Sequence, residues 1–414
     1  MAESLLERLR KKDKKGFFKR SQSSVMYRTG FLPLDFRNGY IMKSVDINEN
    51  VLSEYAATGI TGGTFITIVG KTGVAKSTFA IQTAFNVVNQ FAENAFVMHY
   101  DLEQALTYTR IKNITGASQK ELDSKYILKQ EKVFVEDIFD SIMAIAKEKE
   151  DNRNDYMYDT GLLDEFGEKL IAYVPTVVII DSIPAMVSKD VPSEMEGGTA
   201  ASRKAKVIAQ FYHKLMPIIK TYNITIITIN HINAKMEMNP FAKTQPQVMY
   251  LKMDEALPGG NAPMYYAHNL FKFVSSTKYK KADDGFDGFL VRIEILKSRT
   301  NKAGQSCQLV YNQDTGYDSM MSLYNYADEC GLIEGRNPKR YIKGYDDIKF
   351  DARNFREEIN EKPGIREALM NASLKKLSKL LSSGKSSDDD IKLNDDGITD
   401  YAENVFSKLF NEDE

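Results

Sequence analysis

Apolar residues fall in short runs along the middle of the chain: TFITIV (64–69), AFVMHY (95–100), VFV (133–135), TVVII (176–180), ITIITI (224–229) and NLFKFV (269–274). Each has strand length, and most are nearly continuous in apolar and β-branched residues. That is the pattern of strands covered on both faces of a mostly parallel sheet. Helical periodicity lies between them. In 136–149, Ile138, Phe139, Ile142, Ile145 and Ala146 share one face. Strands alternating with helices predict a doubly wound α/β sheet. GFLVRIEIL (288–296) and CQLVY (307–311), joined by the polar KSRTNKAGQS, predict an antiparallel extension. Near the N-terminus, Ser4 and Glu7 have capping-box spacing ahead of Leu5, Leu6 and Leu9, which predicts a short helix. Residues 151–172 are polar, hold no obvious strand and read as an insertion. SSGKSSDDD reads as a linker, and from Asp388 to Glu414 ten acidic residues face two lysines, an acidic tail.

The chain has 414 residues, which suggests two or three domains. No apolar run is long enough to span a bilayer, and the basic N-terminus lacks the apolar core of a secretory signal. Two cysteines, Cys307 and Cys330, fit a reducing cytoplasm rather than a disulfide framework. His99, His213, His231 and His268 form no zinc-type spacing. The net charge of −2 means that any nucleic-acid contact must come from local patches.

The candidate chemistry sits where strands end. TIVGKTGVAKST reads as strand, turn and helix, with Gly70, Lys71, Thr72, Gly73, Val74, Ala75, Lys76, Ser77 and Thr78 around a phosphate. Backbone N–H groups at a helix N-terminus favour anions, Lys76 can reach the terminal phosphates, and Ser77 can offer a hydroxyl to Mg²⁺. Ala75 stands where the usual pattern has glycine; a methyl there calls for negative φ. TVVIIDS ends in Asp181, placed to hold Mg²⁺ at the carboxyl edge of the sheet. VMHYDLEQ carries Asp101 and, two residues beyond the strand, Glu103, a candidate base for orienting water. IITINHINAK places His231 at the same edge, where a γ-phosphate contact and a plain surface histidine are both open readings.

These segments, in this order, resemble the RecA family of strand-exchange recombinases, most closely its phage UvsX-like branch. RTGFLPLD, GKTGVAKST, YDLEQALT, VVIIDSIPAMVS, INHINAK, PGGNAPMYYA and ILKSRTNKAGQ carry the likeness, over about residues 25 to 335. The resemblance implies a RecA-like ATPase core that binds ATP and Mg²⁺. Glu103 would be the catalytic glutamate, His231 the γ-phosphate sensor, and Lys297 and Arg299 a basic pair acting on a neighbour's ATP. Tyr108 matches the adenine-stacking tyrosine, with a spacing from Glu103 two residues shorter than the family's. Two DNA-binding loops are implied: about 188–202, with Met195, Gly197 and Gly198, and about 232–258, with Lys235, Phe241, Lys243 and Lys252. The second is long and irregular, and its lysines interleaved with aromatics suit single-stranded DNA.

The resulting division is an N-terminal helix and polymerisation arm (1–45), the core (46–335), a small C-terminal region (336–387) and the acidic tail (388–414). Function by resemblance is ATP-dependent homologous pairing and strand exchange by a helical filament on single-stranded DNA. Double-stranded DNA and loader and single-strand-binding proteins would be partners, in the cytoplasm of a host cell if phage-encoded. A RecA-fold hexameric helicase and a non-hydrolysing accessory filament protein are the alternatives.

Overall fold

The computed structural model describes residues 4–13, 21, 23–189, 198–234, 247–274, 277–278 and 288–381. Its centre is one large sheet. In chain order the elements are β1 (Phe65–Gly70), α1 (Lys76–Asn89), β2 (Phe96–Asp101), β3 (Tyr126–Lys129), α2 (Val135–Asp151), β4 (Thr176–Asp181), α3 (Gly198–Thr221), β5 (Ile224–His231), β6 (Ala267–Phe273), β7 (Gly288–Ser298), β8 (Ser306–Asn312) and β9 (Gly316–Asp318). The spatial order is β9-β8-β7-β6-β1-β5-β4-β2-β3, with the short strand Thr277–Lys278 beside β7. The strands from β6 to β3 are parallel, and β7, β8 and β9 continue antiparallel.

Every residue of β1 and β4 is buried, which explains their mostly apolar character; of their polar residues, Thr67 and Asp181 make hydrogen bonds. Apolar side chains cover both faces. Phe79, Ala80, Val87 and Val88 of α1 close one cluster, and Ile138 and Ile142 of α2 with Tyr212 and Leu215 of α3 close another. A third cluster joins the helices Leu32–Asn38, Ser319–Glu329 and Pro363–Leu377. The strand Ile333–Arg336 pairs with Lys339–Ile342, which pairs with Tyr345–Phe350. Among the described residues no helix is long and apolar enough to cross a membrane.

Three local expectations change. VFV (133–135) is not a strand; β3 lies earlier, and Val135 begins α2. The polar stretch 151–172 folds, with Tyr173, into a hairpin, Met157–Leu163 against Lys169–Tyr173. It rests beside the hairpin of Tyr40–Val45 and Val51–Ala57, where the Tyr55 hydroxyl donates to the Leu163 carbonyl at 3.2 Å. Ala75 lies in the left-handed region, at φ 56° and ψ 32°, not at negative φ. The turn into α1 demands that conformation, which glycine adopts freely and alanine only with strain. The N-terminal helix Leu5–Lys12 carries its capping box and buries none of its residues.

Candidate active site

The parallel register brings the strand ends together. Asp181 pairs with Asp101, and His231 pairs with Gly70. The ends of β1, β5, β4 and β2 are therefore neighbours along one edge, the place where ligands bind in such sheets.

The turn after β1 curls over α1. Gly70 cannot take a side chain, because a Cβ would stand 2.6 Å from the Phe273 carbonyl oxygen. Gly73 turns at φ 80°; Lys71, Thr72 and Gly73 are exposed, while Val74 and Thr78 are buried. Lys76 is buried at 6% exposure, and its Nζ donates to the Lys71 carbonyl at 2.7 Å. Burial lowers its pKa, opposed by the charges of Asp181 and Glu103. A buried ammonium held among loop groups is well placed to meet a more highly charged anion.

The Ser77 hydroxyl donates to Asp181 Oδ2 at 2.5 Å. Burial raises the Asp181 pKa to about 6, against the Ser77 hydrogen bond, with Glu103 and Asp101 adding to the rise. Hydroxyl and carboxylate oxygens side by side suit a hard cation such as Mg²⁺, which uses one or two protein ligands and completes its shell from phosphates and water. Among the described residues no cluster of three or more His, Cys, Asp or Glu forms a richer metal site.

Glu103 Oε1 accepts the Ser182 hydroxyl at 2.6 Å and lies 3.3 Å from His231 Nε2. Two proposed catalytic residues from separate strands thus meet. Asn230, beside His231, donates to the Pro258 carbonyl at 2.9 Å and so ties this strand end to the PGGNA segment. Asp101 takes the Leu106 N–H at 2.9 Å and the Gln130 amide at 2.8 Å, shaping the turn that carries Glu103. Sequence reasoning missed Ser182 and Gln130. A hydroxyl directly after a strand-end aspartate was a usable signal for the first; nothing local marks the second.

Tyr108 begins the helix Tyr108–Thr115, half exposed, and its hydroxyl accepts the Leu128 N–H at 3.3 Å. No hydrogen bond among the described residues links it to the glycine turn.

Lys297 and Arg299 lie elsewhere. Lys297 Nζ donates to the Met264 and Tyr265 carbonyls at 2.8 and 2.9 Å, and Arg299 reaches Tyr265 at 3.4 Å. Burial, with Arg299 nearby, pushes the Lys297 pKa down to about 8. Because β7 runs antiparallel, Ser298 pairs with Asn269 near the start of β6, at the opposite edge from Gly70.

Of the proposed DNA contacts, Met195, Gly197, Lys235, Phe241 and Lys243 lie outside the described residues, and Gly198 is the first residue of α3. Lys252 is exposed, between the exposed Met249, Tyr250 and Met253.

No protein-family model matches the chain. Among curated proteins it is 24% identical to the RecA protein of Thermus aquaticus over 206 residues, 50% of this chain and 57% of that one. It is 29% identical to the recombination and repair protein of Enterobacteria phage T4 over 171 residues, 41% of this chain and 38% of that one. The RecA protein of a Nitratiruptor species aligns over 331 residues at 23% identity, 75% of this chain and 82% of that one. The chain thus spans about four- to six-tenths of the length of the first two relatives. With its mostly parallel sheet and its ordered strand-end residues, the chain is a distant homologue of the RecA family, the phage T4 recombination and repair protein among its relatives.

Proposed function

We propose that this chain is a DNA-dependent ATPase that assembles into helical filaments on single-stranded DNA and promotes homologous pairing and strand exchange. One observation carries the reading. Lys76, Ser77, Asp181, Glu103 and His231 gather at one edge of the sheet, while Lys297 and Arg299 gather at the other. Lys297, in β7 and so two strands from β1, pairs across to Leu270, which pairs to Thr67, three residues before Gly70. That is ~10 Å along the strands and ~10 Å across them, at usual strand spacings. A basic pair that must touch a terminal phosphate then serves the nucleotide of another copy, as an arginine finger does.

In this reading Lys76 and the turn N–H groups hold the triphosphate, and Ser77 and Asp181 would hold Mg²⁺. The cation, when bound, would offset phosphate charge. Glu103 accepts a proton from the water that attacks the γ-phosphate. His231 changes its partner from Glu103 to the phosphate and passes that change to the segment that follows it. Lysines in that segment, Lys252 among them, meet DNA phosphates.

The test has two arms. Hydrolysis is measured with and without single-stranded oligonucleotide, and the same mixtures are imaged. Strong stimulation with filaments supports the reading; hexameric rings would transfer it to a helicase. Then Glu103→Gln chains are mixed with Lys297→Ala/Arg299→Ala chains. If the pair acts between copies, random head-to-tail assembly restores activity at roughly a quarter of interfaces. Two inactive variants that stay inactive when mixed overturn the shared site.

A further inference from the structure

The end of β4 sends two hydrogen bonds in different directions. Asp181 takes the Ser77 hydroxyl at 2.5 Å, and the next residue, Ser182, gives its own hydroxyl to Glu103 Oε1 at 2.6 Å. Ser182 is fully buried, whereas the Glu103 side chain is 44% exposed. A half-exposed glutamate samples several rotamers unless something holds its carboxylate, and holding it costs side-chain entropy. A rigid, buried donor can supply that hold. His231 Nε2, at 3.3 Å from the same oxygen, makes a longer contact and donates only when that nitrogen carries the proton. Both contacts fall on Oε1; among the described residues no hydrogen bond reaches Oε2.

We infer that Ser182 is the positioning residue of Glu103. Its hydroxyl fixes Oε1 against the end of the strand that carries Asp181 and leaves Oε2 to take the proton from water. This rests on the hydrolytic reading of Glu103. The division of labour follows from the distances. The longer His231 contact is the one that can be exchanged for a phosphate, and the Ser182 bond keeps the base in place while that happens. The register makes the meeting possible: Asp101 and Asp181 are direct partners, so residues one and two positions beyond them are brought face to face.

The test is single-turnover and steady-state ATP hydrolysis by the full chain with single-stranded oligonucleotide. It compares the wild type with Ser182→Ala, Ser182→Cys, Glu103→Gln and the Ser182→Ala/Glu103→Gln double variant. Loss of positioning lowers kcat by roughly ten- to a hundredfold in Ser182→Ala, with KM and affinity for a fluorescent ATP analogue within about threefold of wild type. Ser182→Cys, nearly isosteric and a weak donor, falls between, and it carries the comparison should the alanine variant not fold. On the Glu103→Gln background Ser182→Ala costs nothing further, because its effect runs through the carboxylate. Wild-type turnover in both Ser182 variants overturns the inference and leaves the ATPase reading standing. So does a loss that adds in full to that of Glu103→Gln, or one confined to analogue binding and melting temperature. Absence of hydrolysis by the wild type overturns both.

Discussion

Asp35 offers a test of the fold in which sign and size both follow from geometry. It lies on the helix Leu32–Asn38 and has no exposed surface. Oδ1 accepts the Thr29 N–H at 3.1 Å and the Thr29 hydroxyl at 2.6 Å, while Oδ2 is buried without a partner among the described residues. Burial raises its pKa from 3.8 to about 7, against the pull of the Thr29 hydrogen bonds. The native state therefore binds a proton that the unfolded state has released, between those two values. The group's contribution to stability is complete below pH 3.8 and is lost as pH rises through 7. Relative to acid conditions, the shift from 3.8 to about 7 lowers stability by about 2 kcal/mol at pH 5.5, where the folded group keeps its proton, and by about 4 kcal/mol at pH 8, where it is ionised in both states. Asp35→Asn keeps the Oδ1 acceptor and removes the charge. Its amide replaces the unpartnered oxygen, at a pH-independent cost of about 1–3 kcal/mol. The unfolding free energy of the variant minus that of the wild type should thus rise by about 2 kcal/mol from pH 5.5 to pH 8. Urea denaturation at both values measures it. Parallel pH curves for the two proteins would refute the buried ionisation.

Ala75→Gly relieves about 1 kcal/mol of left-handed strain and gives part of it back to glycine's freedom in the unfolded chain, so a gain of about 0.5 kcal/mol is expected by urea denaturation. A loss of more than about 1 kcal/mol would contradict the strain. Asp181 has a folded pKa of about 6 against 3.8 unfolded, so its contribution to the stability of the free protein is present below 3.8 and lost as pH rises through 6. A divalent cation needs the ionised form; cation-dependent nucleotide affinity should fall about tenfold from pH 7 to pH 5, and a flat titration at fixed free Mg²⁺ would dismiss the ligand role. Lys272, nearly buried, holds Glu255 at 2.6 Å with Glu294 at 4.0 Å. Lys272→Ala takes the cation from the mostly buried Glu255, while Glu294 keeps Arg292 at 3.4 Å, and should destabilise by about 3 kcal/mol, part of it recovered by adding Glu255→Gln; thermal denaturation reads both.

What was legible in the chain was what burial writes into it. β1, β4 and β5 lie between neighbours on both sides and under helices on both faces, so they are mostly apolar and β-branched and are readable as runs. β3 stands at the sheet edge with four residues and, among the described residues, one neighbouring strand, and its burial leaves no unbroken apolar run. The hairpin Met157–Tyr173 hid for a related reason. Only part of it reaches the main core, through Tyr158 against Phe91 and Tyr27, its register breaks between Asp159 and Leu163, and its residues are mostly half-buried. Neither the alternation of a half-buried strand nor the run of a buried one survives there. The left-handed Ala75 was illegible because its residue type argues against it; the turn overrides the local preference.

The site was legible as a set of strand ends and not as a set of contacts. That Asp101, Asp181 and His231 close apolar runs is visible residue by residue. That Glu103 meets Ser182 and His231 depends on register, on which Cα lies beside which, and no single segment carries that information. The same dependence governs Lys297 and Arg299. Their spacing marks them as a pair at a strand end, but only the antiparallel turn into β7 sends that end to the amino edge of the parallel strands. On the proposed reading, one sheet carries a phosphate turn with its base at one edge and a basic pair at the other. Such edges are complementary rather than alike, so the contact they favour is head-to-tail, with each copy both giving and receiving. A two-fold dimer that pairs like surfaces does not follow from this arrangement. On the proposed reading repetition would, and whether it closes into a ring or runs on as a helix depends on the rotation between copies.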